Sequence, residues 1–322
     1  MDRLVFAANC NDMQLRHNSS SGGVFTLLAE TVLAKGGVVF GAAVTEGLRV
    51  RHIPVESREA LSQLRGSKYV RSQLGDSYRQ AKAYLESGRW VLFTGTPCQI
   101  GGLKAYLKKD YVNLICQDLA CHGSPMEWVY ESYVNHREQA AGSKATEISF
   151  RDKATGWEAY SLTIRFENGE VYTQRVDRDP YMKAFLREYT LGKSCYHCAF
   201  KGLNRQADIT LADLWGAADI CPQLYDGKGT SAVLIHTEKG KELWDAISQG
   251  LTAVPVPAEA VVKHNPALIH SMPEPKKREA FLEQLKTGDF EKTVEAFCPR
   301  PSGLERLARR VIGKLKRILK WN

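Results

Sequence analysis

The chain has 322 residues, 43% of them hydrophobic and 25% charged, enough for about two domains with sizeable cores. Its net charge of +8 is concentrated at one end: Leu304–Asn322 carries seven Lys/Arg against one Glu, which leaves about +2 on the body and excludes a nucleic-acid-gripping surface. No charge-free apolar run approaches the roughly 18 residues of a membrane span, and the apolar stretch in MDRLVFAANCND is too short for a signal peptide. The expected location is therefore the cytoplasm, where eight cysteines stay reduced and favour metal binding or catalysis over disulfides.

Residues 18–45 open with NSSSGG and read as a helix, with Val24, Leu27, Leu28 and Val32 on its apolar face and Gly36-Gly37 at its end. VVFGAAV and RVRHIPV follow as strands. SREALSQLRG reads as a helix capped by Ser57 and stopped at Gly66, and DSYRQAKAYLESG as another. RWVLFTG, TPCQIGGLKAYLKK and YVNLICQDLA then read as strand, helix and strand, with Thr96 and Pro97 suited to the helix start. That order implies parallel strands joined by a right-handed crossover. Cys98 and Cys121 each fall just past the end of one of these strands. Both thiols thus emerge on the carboxyl edge of the sheet, where open α/β sheets bind ligands.

Beyond Cys121 the spacing predicts a helix over MEWVYESYVNHREQAA, with Ser124 capping and Pro125 in its first turn. TEISFRDK and AYSLTIRFENGEVYTQRV alternate polar and apolar residues, and Asn168-Gly169 signals a hairpin, so residues about 146–177 read as an antiparallel insertion. DPYMKAFLREY is a helix leading into KSCYHCAFKG. ADITLADLWG and GTSAVLIHT are strands, and EKGKELWDAIS is a helix. Five prolines make 255–275 an extended connection, which a helical pair follows. The tail sets an apolar face, from Leu304 to Leu319, against Lys/Arg. Such a helix can lie on an anionic membrane, in a partner groove or on its own body. The expected architecture is α/β: a mixed sheet core with a parallel βαβ unit, an antiparallel β insertion and C-terminal helices. Residues 1–254 are expected to form the catalytic core, 255–303 the connection and helical pair, and 304–322 the tail.

If the Cys195/Cys198 loop folds over the carboxyl edge, four thiolates converge with Cys98 and Cys121. Four cysteines suit zinc or an iron–sulfur cluster, and spacing does not choose between them. Two ligands arriving singly from strand ends favour a functional centre over a structural staple. A different reading makes Cys98, beside a helix N-terminus, a low-pKa nucleophile with His122 as its base. Cys10, Cys116, Cys221 and Cys298 lack partners at a convincing spacing and read as small apolar residues.

NSSSGGVFTLLAETVL, GSKYVRS, VLFTGTPCQIGGL, DLACHG, FRDKATGW, SCYHCAF and ADITLADLWG occur in that order. Together they resemble the beta subunit of coenzyme F420-reducing hydrogenase and F420-dependent dehydrogenases, a family that includes ferredoxin-dependent 7-hydroxymethyl chlorophyll a reductase. The resemblance covers roughly residues 15–240, and seven ordered motifs are far more specific than one. It implies FAD and a [4Fe–4S] cluster that pass electrons between iron–sulfur chains and a two-electron acceptor. Carried over by motif, Cys98, Cys121, Cys195 and Cys198 are the implied cluster ligands. Many members begin with a cysteine-rich ferredoxin-like segment. Here only Cys10 precedes Cys98, so a separate ferredoxin or iron–sulfur subunit is the expected donor. The expected acceptor is a small molecule, F420-like or other. Some bacterial members look like accessory proteins of surface-polysaccharide synthesis, so the alternative is a zinc-stabilised or degenerate non-catalytic accessory protein.

Within that resemblance, Ser20, Ser21, Gly22 and Gly23 at a helix start suit a flavin pyrophosphate, although Ser also simply caps helices. Lys68 and Arg71 of GSKYVRS suit phosphate with Tyr69 near the flavin ring, or form a solvated basic turn. Thr96 joins the same expected cofactor contacts. Arg151 and Lys153 alternate on a strand and face one way, toward a flavin, an acidic substrate or solvent. Asp118, Asp208 and Asp213 lie near strand ends, and Trp215 reads as core. There is no Gly-x-Gly-x-x-Gly after a strand and no P-loop, so an ordinary Rossmann or nucleotide-hydrolysing site is excluded as the first reading.

Overall fold

The computed structural model describes residues 4–299. The strands, in chain order, are β1 (Leu4–Cys10), β2 (Val38–Val44), β3 (Val50–Val55), β4 (Val91–Thr94), β5 (Leu114–Leu119), β6 (Ala145–Asp152), β7 (Ser161–Phe166), β8 (Val171–Arg175), β9 (Ile209–Asp213), β10 (Ser231–Ile235) and β11 (Leu251–Pro255). Eight of them form one mixed sheet in the order β11-β1-β10-β9-β5-β4-β2-β3. Its middle, β9-β5-β4-β2, is parallel. β3 flanks it antiparallel on one side, and β10, β1 and β11 on the other.

Both faces of the parallel strands are covered, which is why they read as near-continuous apolar runs. The helix Val24–Ala34 packs Leu28, Ala29 and Val32 against Val39, Leu92 and Ile115 on one face. The helices Ser77–Glu86 and Pro97–Leu107 pack Ala81, Leu85, Ile100 and Leu103 against Val38, Phe40 and Phe93 on the other. The alternation of Val38, Val39 and Phe40 between faces is the strand period of two.

The antiparallel insertion is a separate sheet, β6-β7-β8, whose last turn holds Gly169 at φ 86°. Phe150, Leu162 and Ile164 of this sheet join the helices Glu127–Ala141, Pro180–Leu186, Arg278–Thr287 and Phe290–Phe297 in a second core. Cys10, Cys116, Cys221 and Cys298 are each buried among apolar side chains, as small apolar residues.

Three segments depart from expectation. LVFAANC is β1, inserted between β10 and β11, with Val5 opposite Leu234 and Ala8 opposite Ala253. SREALSQLRG makes only a 3-10 turn, Glu59–Gln63, with Leu61 and Leu64 buried against the sheet core. The helix after Cys121 starts at Glu127, not at Ser124. Pro125 instead pairs with Leu191 in an isolated antiparallel bridge, and its carbonyl accepts from Arg71 N at 3.2 Å. The tail expected as a basic helix lies outside the described residues. Among those described, no helix is long and apolar enough to cross a membrane.

Candidate functional site

A cavity of about 970 Å³ runs along the carboxyl edge of the parallel strands. That is the upper end of the roughly 300–1,000 Å³ range of small-molecule and cofactor sites. Thr94 of β4, Gln117 and Leu119 of β5, and Asp213 of β9 all line it. The site therefore sits where a parallel sheet directs its loops.

Cys98 is placed by a chain of buried polar contacts. Pro97 opens its helix, and Thr96 N donates to Gln99 Oε1 at 2.9 Å. Gln99 Nε2 donates to Ser72 Oγ at 2.9 Å. Ser72 Oγ lies 2.9 Å from His52 Nδ1, and His52 Nε2 lies 2.8 Å from Thr94 O. A carbonyl only accepts, so Nε2 carries the proton and Nδ1 accepts from Ser72. Burial holds His52 neutral, its pKa pushed down to about 4 against the opposing Thr94 hydrogen bond. The ring also stacks on Phe93 at 5.4 Å. The network fixes the strand end to the helix start, with Cys98 Sγ 3.1 Å from Thr96 Oγ1.

Cys121, Cys195 and Cys198 line the same cavity as Cys98, and all four are free thiols. Burial pushes the Cys121 thiol up to about 12, and the nearby Cys98 and Cys195 sulfurs add to it against Lys201. Ser124 N donates to Cys195 Sγ at 3.4 Å. Lys201 Nζ donates to the carbonyls of Cys121 and Ala267. Among the described residues, no group of three or more His, Cys, Asp or Glu is drawn together as around a single metal ion. His122 also lines the cavity, beside Phe185 and with Nε2 3.2 Å from Glu188 Oε1. Among the described residues, no hydrogen bond joins it to Cys98.

The Ser/Gly turn meets the cavity from the other side. Gly23 caps the helix Val24–Ala34 in the left-handed region, φ 87°, so the positive end of the helix opens on the cavity. Gly22 N donates to Ser231 Oγ, and a Cβ on Gly22 would lie 2.3 Å from Ala8 O. Gly22 itself is packed beneath the lining, while Ser20, Ser21 and Gly23 line it. Trp157 Nε1 donates to Ser20 O at 3.1 Å, so the antiparallel insertion buttresses the turn. Trp215 stacks on Trp157 at 4.8 Å.

Arg65, Lys68, Tyr69, Arg71, Thr96 and Arg151 also line the cavity. Among the described residues, Arg65, Lys68 and Arg71 form no ion pair. Among those residues, too, Lys68 Nζ donates only to the carbonyls of Gln63 and Arg65, and burial pushes its pKa down to about 7. Arg151 pairs with Asp213 yet, among the described residues, keeps a buried Nε–H with no partner, as does Arg205. Lys153 is not part of the lining. β6 ends at Asp152, so the strand alternation stops there, and Lys153 Nζ ties down the carbonyls of Arg16 and Lys228. Asp118 pairs with Arg205 and Asp208 accepts from Cys116 N, so both serve the sheet rather than the cavity. Sequence reasoning passed over His52, Ser72 and Arg65. Gln99 carried a usable signal, being three residues past Thr96 in a capping box.

Two family models match the chain, both of the coenzyme F420 hydrogenase/dehydrogenase beta subunit. The model of its N-terminal part covers residues 5–77, and the model of its C-terminal part covers residues 88–259. Among solved structures, the chain is similar to one in the F420-reducing [NiFe] hydrogenase complex from Methanosarcina barkeri. The two share 21% identity and a TM-score of 0.57, over 88% of this chain and 93% of that one. A search of curated proteins finds no match.

Proposed function

The chain belongs to the coenzyme F420 hydrogenase/dehydrogenase beta-subunit family, and from that membership we propose that its cavity is a flavin and iron–sulfur centre. The family is one of redox enzyme subunits, so the chain's role is electron transfer in an oxidoreductase. The finer reading is an oxidoreductase that takes electrons from a separate ferredoxin-type donor and reduces, or is reduced by, a small two-electron carrier.

The observation that supports it is the donor set. Four reduced cysteines from three separate segments line one cavity, opposite a helix N-terminus and three cations without carboxylate partners among the described residues. A single tetrahedral zinc ion draws thiolates to ~2.3 Å and hence close to one another. A four-iron cluster takes one thiolate per iron, so its ligands stand further apart around a larger body. Cys98, Cys121, Cys195 and Cys198 would hold the cluster. Ser20, Ser21, Lys68, Arg71 and the start of the helix at Val24 would hold the flavin phosphates, with Tyr69 and Arg151 along its length. When bound, the two groups convert single electrons into a hydride equivalent.

The chain's own contribution is placement. The His52–Ser72–Gln99 network ties the strand end to the start of the Cys98 helix, with neutral His52 donating from Nε2 to Thr94 O and accepting from Ser72 at Nδ1. Arg151, anchored on Asp213, holds its guanidinium at a fixed place in the cavity wall. Lys68, with its pKa near neutrality, can take up a proton when an anion arrives.

Anaerobic purification followed by iron, sulfide, flavin and zinc assays tests the reading. Brown protein with flavin bands and about four irons per chain is the expected result. Colourless protein with stoichiometric zinc, or folded protein that binds neither group, would overturn it.

A further inference from the structure

Arg278 lies beyond the stretches matched to the family, which end at residue 259. It is the first residue of the helix Arg278–Thr287, and its side chain is only 5% exposed. Two carboxylates offset its charge: Glu279 Oε1 at 2.9 Å and Glu274 Oε1 at 3.6 Å. Two other guanidinium edges go to the cysteine loop. Nη2 donates to Leu191 O at 2.7 Å, and Nε donates to Tyr196 Oη at 3.0 Å. The guanidinium also lies 5.3 Å from the Tyr196 ring centre. Tyr196 Oη in turn donates to Glu188 O.

Leu191 and Tyr196 bracket Cys195. The loop has little packing of its own: in the 3-10 turn Lys193–His197 the only buried residue is Tyr196. Cys195 N donates back to Gly192 O, and Gly192 N to Ser124 O, so the loop's backbone leads to the Pro125–Leu191 bridge beside Cys121. A second tie comes from the same C-terminal region, where Ser271 Oγ accepts from Cys198 N at 3.0 Å. Two ties of the Cys195 turn, at Leu191 O and Tyr196 Oη, therefore end on one buried side chain. The planar guanidinium serves the carbonyl and the phenol from two different nitrogens, Nη2 and Nε, held in one rigid fork.

We propose that Arg278 is a positioning residue that holds the Cys195–Cys198 loop closed against the cavity. The C-terminal helices are then part of the site, as the support of half its thiols. The inference rests on the proposed function only in taking those thiols for cluster ligands.

The test is done on the full chain freed of cofactors, by alkylation with iodoacetamide and peptide mass spectrometry. Losing two hydrogen bonds from a charged donor should raise the modification rates of Cys195 and Cys198 in Arg278→Gln by about tenfold or more. Cys98, on its own helix, should react at an unchanged rate. Arg278→Lys keeps the charge but gathers its donors on a single nitrogen, so it should fall between and serves if the Gln variant does not fold. Ser271→Ala should affect Cys198 more than Cys195. Unchanged rates at Cys195 and Cys198, or an equal rise at buried Cys116 that marks general loosening, would overturn the proposal. Because the readout needs no cluster, it stands if the protein binds no iron. Conversely, an iron-loaded protein with unchanged rates would reject Arg278 and leave the centre intact.

Discussion

Ser72 donates its hydroxyl to His52 Nδ1 at 2.9 Å, while Thr94 O holds the proton on the opposite ring nitrogen. Both ring nitrogens are occupied, and burial disfavours the charged ring against the opposing Thr94 hydrogen bond. His52 thus titrates at about 4 folded against 6.5 in a free chain. Between those values the unfolded chain binds more protons, so stability falls as pH falls from about 6.5 toward 4. The loss from this group is roughly 3 kcal/mol at most, at about 1.4 kcal/mol per unit. Urea midpoints at neutral pH and near pH 5 measure it. His52→Gln should lose stability at neutral pH but flatten that acid slope, and an unchanged slope would rule out His52 as its source.

Cys195→Ser and Cys221→Ser separate ligand from core. Cys195 lines the cavity, whereas Cys221 is 1% exposed among Val5, Leu214 and Leu234. The first substitution should lose iron and its visible absorption. The second should keep both and cost about 1 kcal/mol through an ill-placed hydroxyl. Full iron in both variants would mean that the ligand set is wrong.

Lys68 gives the flavin site a pH signature. Its pKa near 7 arises from burial, so an arriving phosphate restores the proton and binding takes one up. Flavin nucleotide affinity should therefore weaken as pH rises above about 7. Lys68→Met should weaken binding roughly tenfold at neutral pH and remove that dependence. Calorimetry in buffers of different ionisation enthalpy counts the proton directly, and a zero count would exclude Lys68 from the anion site.

Gly22 tests the turn. A methyl there meets Ala8 O at 2.3 Å and Ser231 N at 2.8 Å, both backbone atoms that cannot swing aside. Gly22→Ala should cost about 2–3 kcal/mol in overpacking and displace the helix start. At Gly36, also glycine but with open space around it, Ala should cost only about 1 kcal/mol for its φ of 70°. Denaturant unfolding of the two variants compares them, and equal losses would show that the turn tolerates a side chain.

The parts of this molecule visible in its sequence are those encoded locally. Thr96, Pro97 and Cys98 announce a helix start after an apolar strand, and the next apolar run completes a βαβ unit whose carboxyl edge follows from chirality alone. Asn168-Gly169 encodes its hairpin in two residues. β1 and β11 carried no such mark. Seven mostly apolar residues, and five near a run of prolines, become strands only because β1 pairs with both β10 and β11, each more than two hundred residues from it. Lys153 was misplaced because its strand stops one residue short, a boundary that alternation does not encode. The seat of the Cys195 loop on Arg278 and Ser271 was invisible for the same reason as β1: its partners are distant in the chain, and a buried arginine looks like a surface one until the fold surrounds it.

The position of β1 between β10 and β11 sets an order of events during synthesis. Neither neighbour of β1 exists until more than two hundred further residues have been added after it. At ~5–20 residues per second that is a wait of roughly 10–40 s with both edges bare. The floor beneath Gly22, built from Ala8 and Ser231, is missing throughout that interval. Whatever fills the cavity must therefore be loaded after translation has passed residue 231.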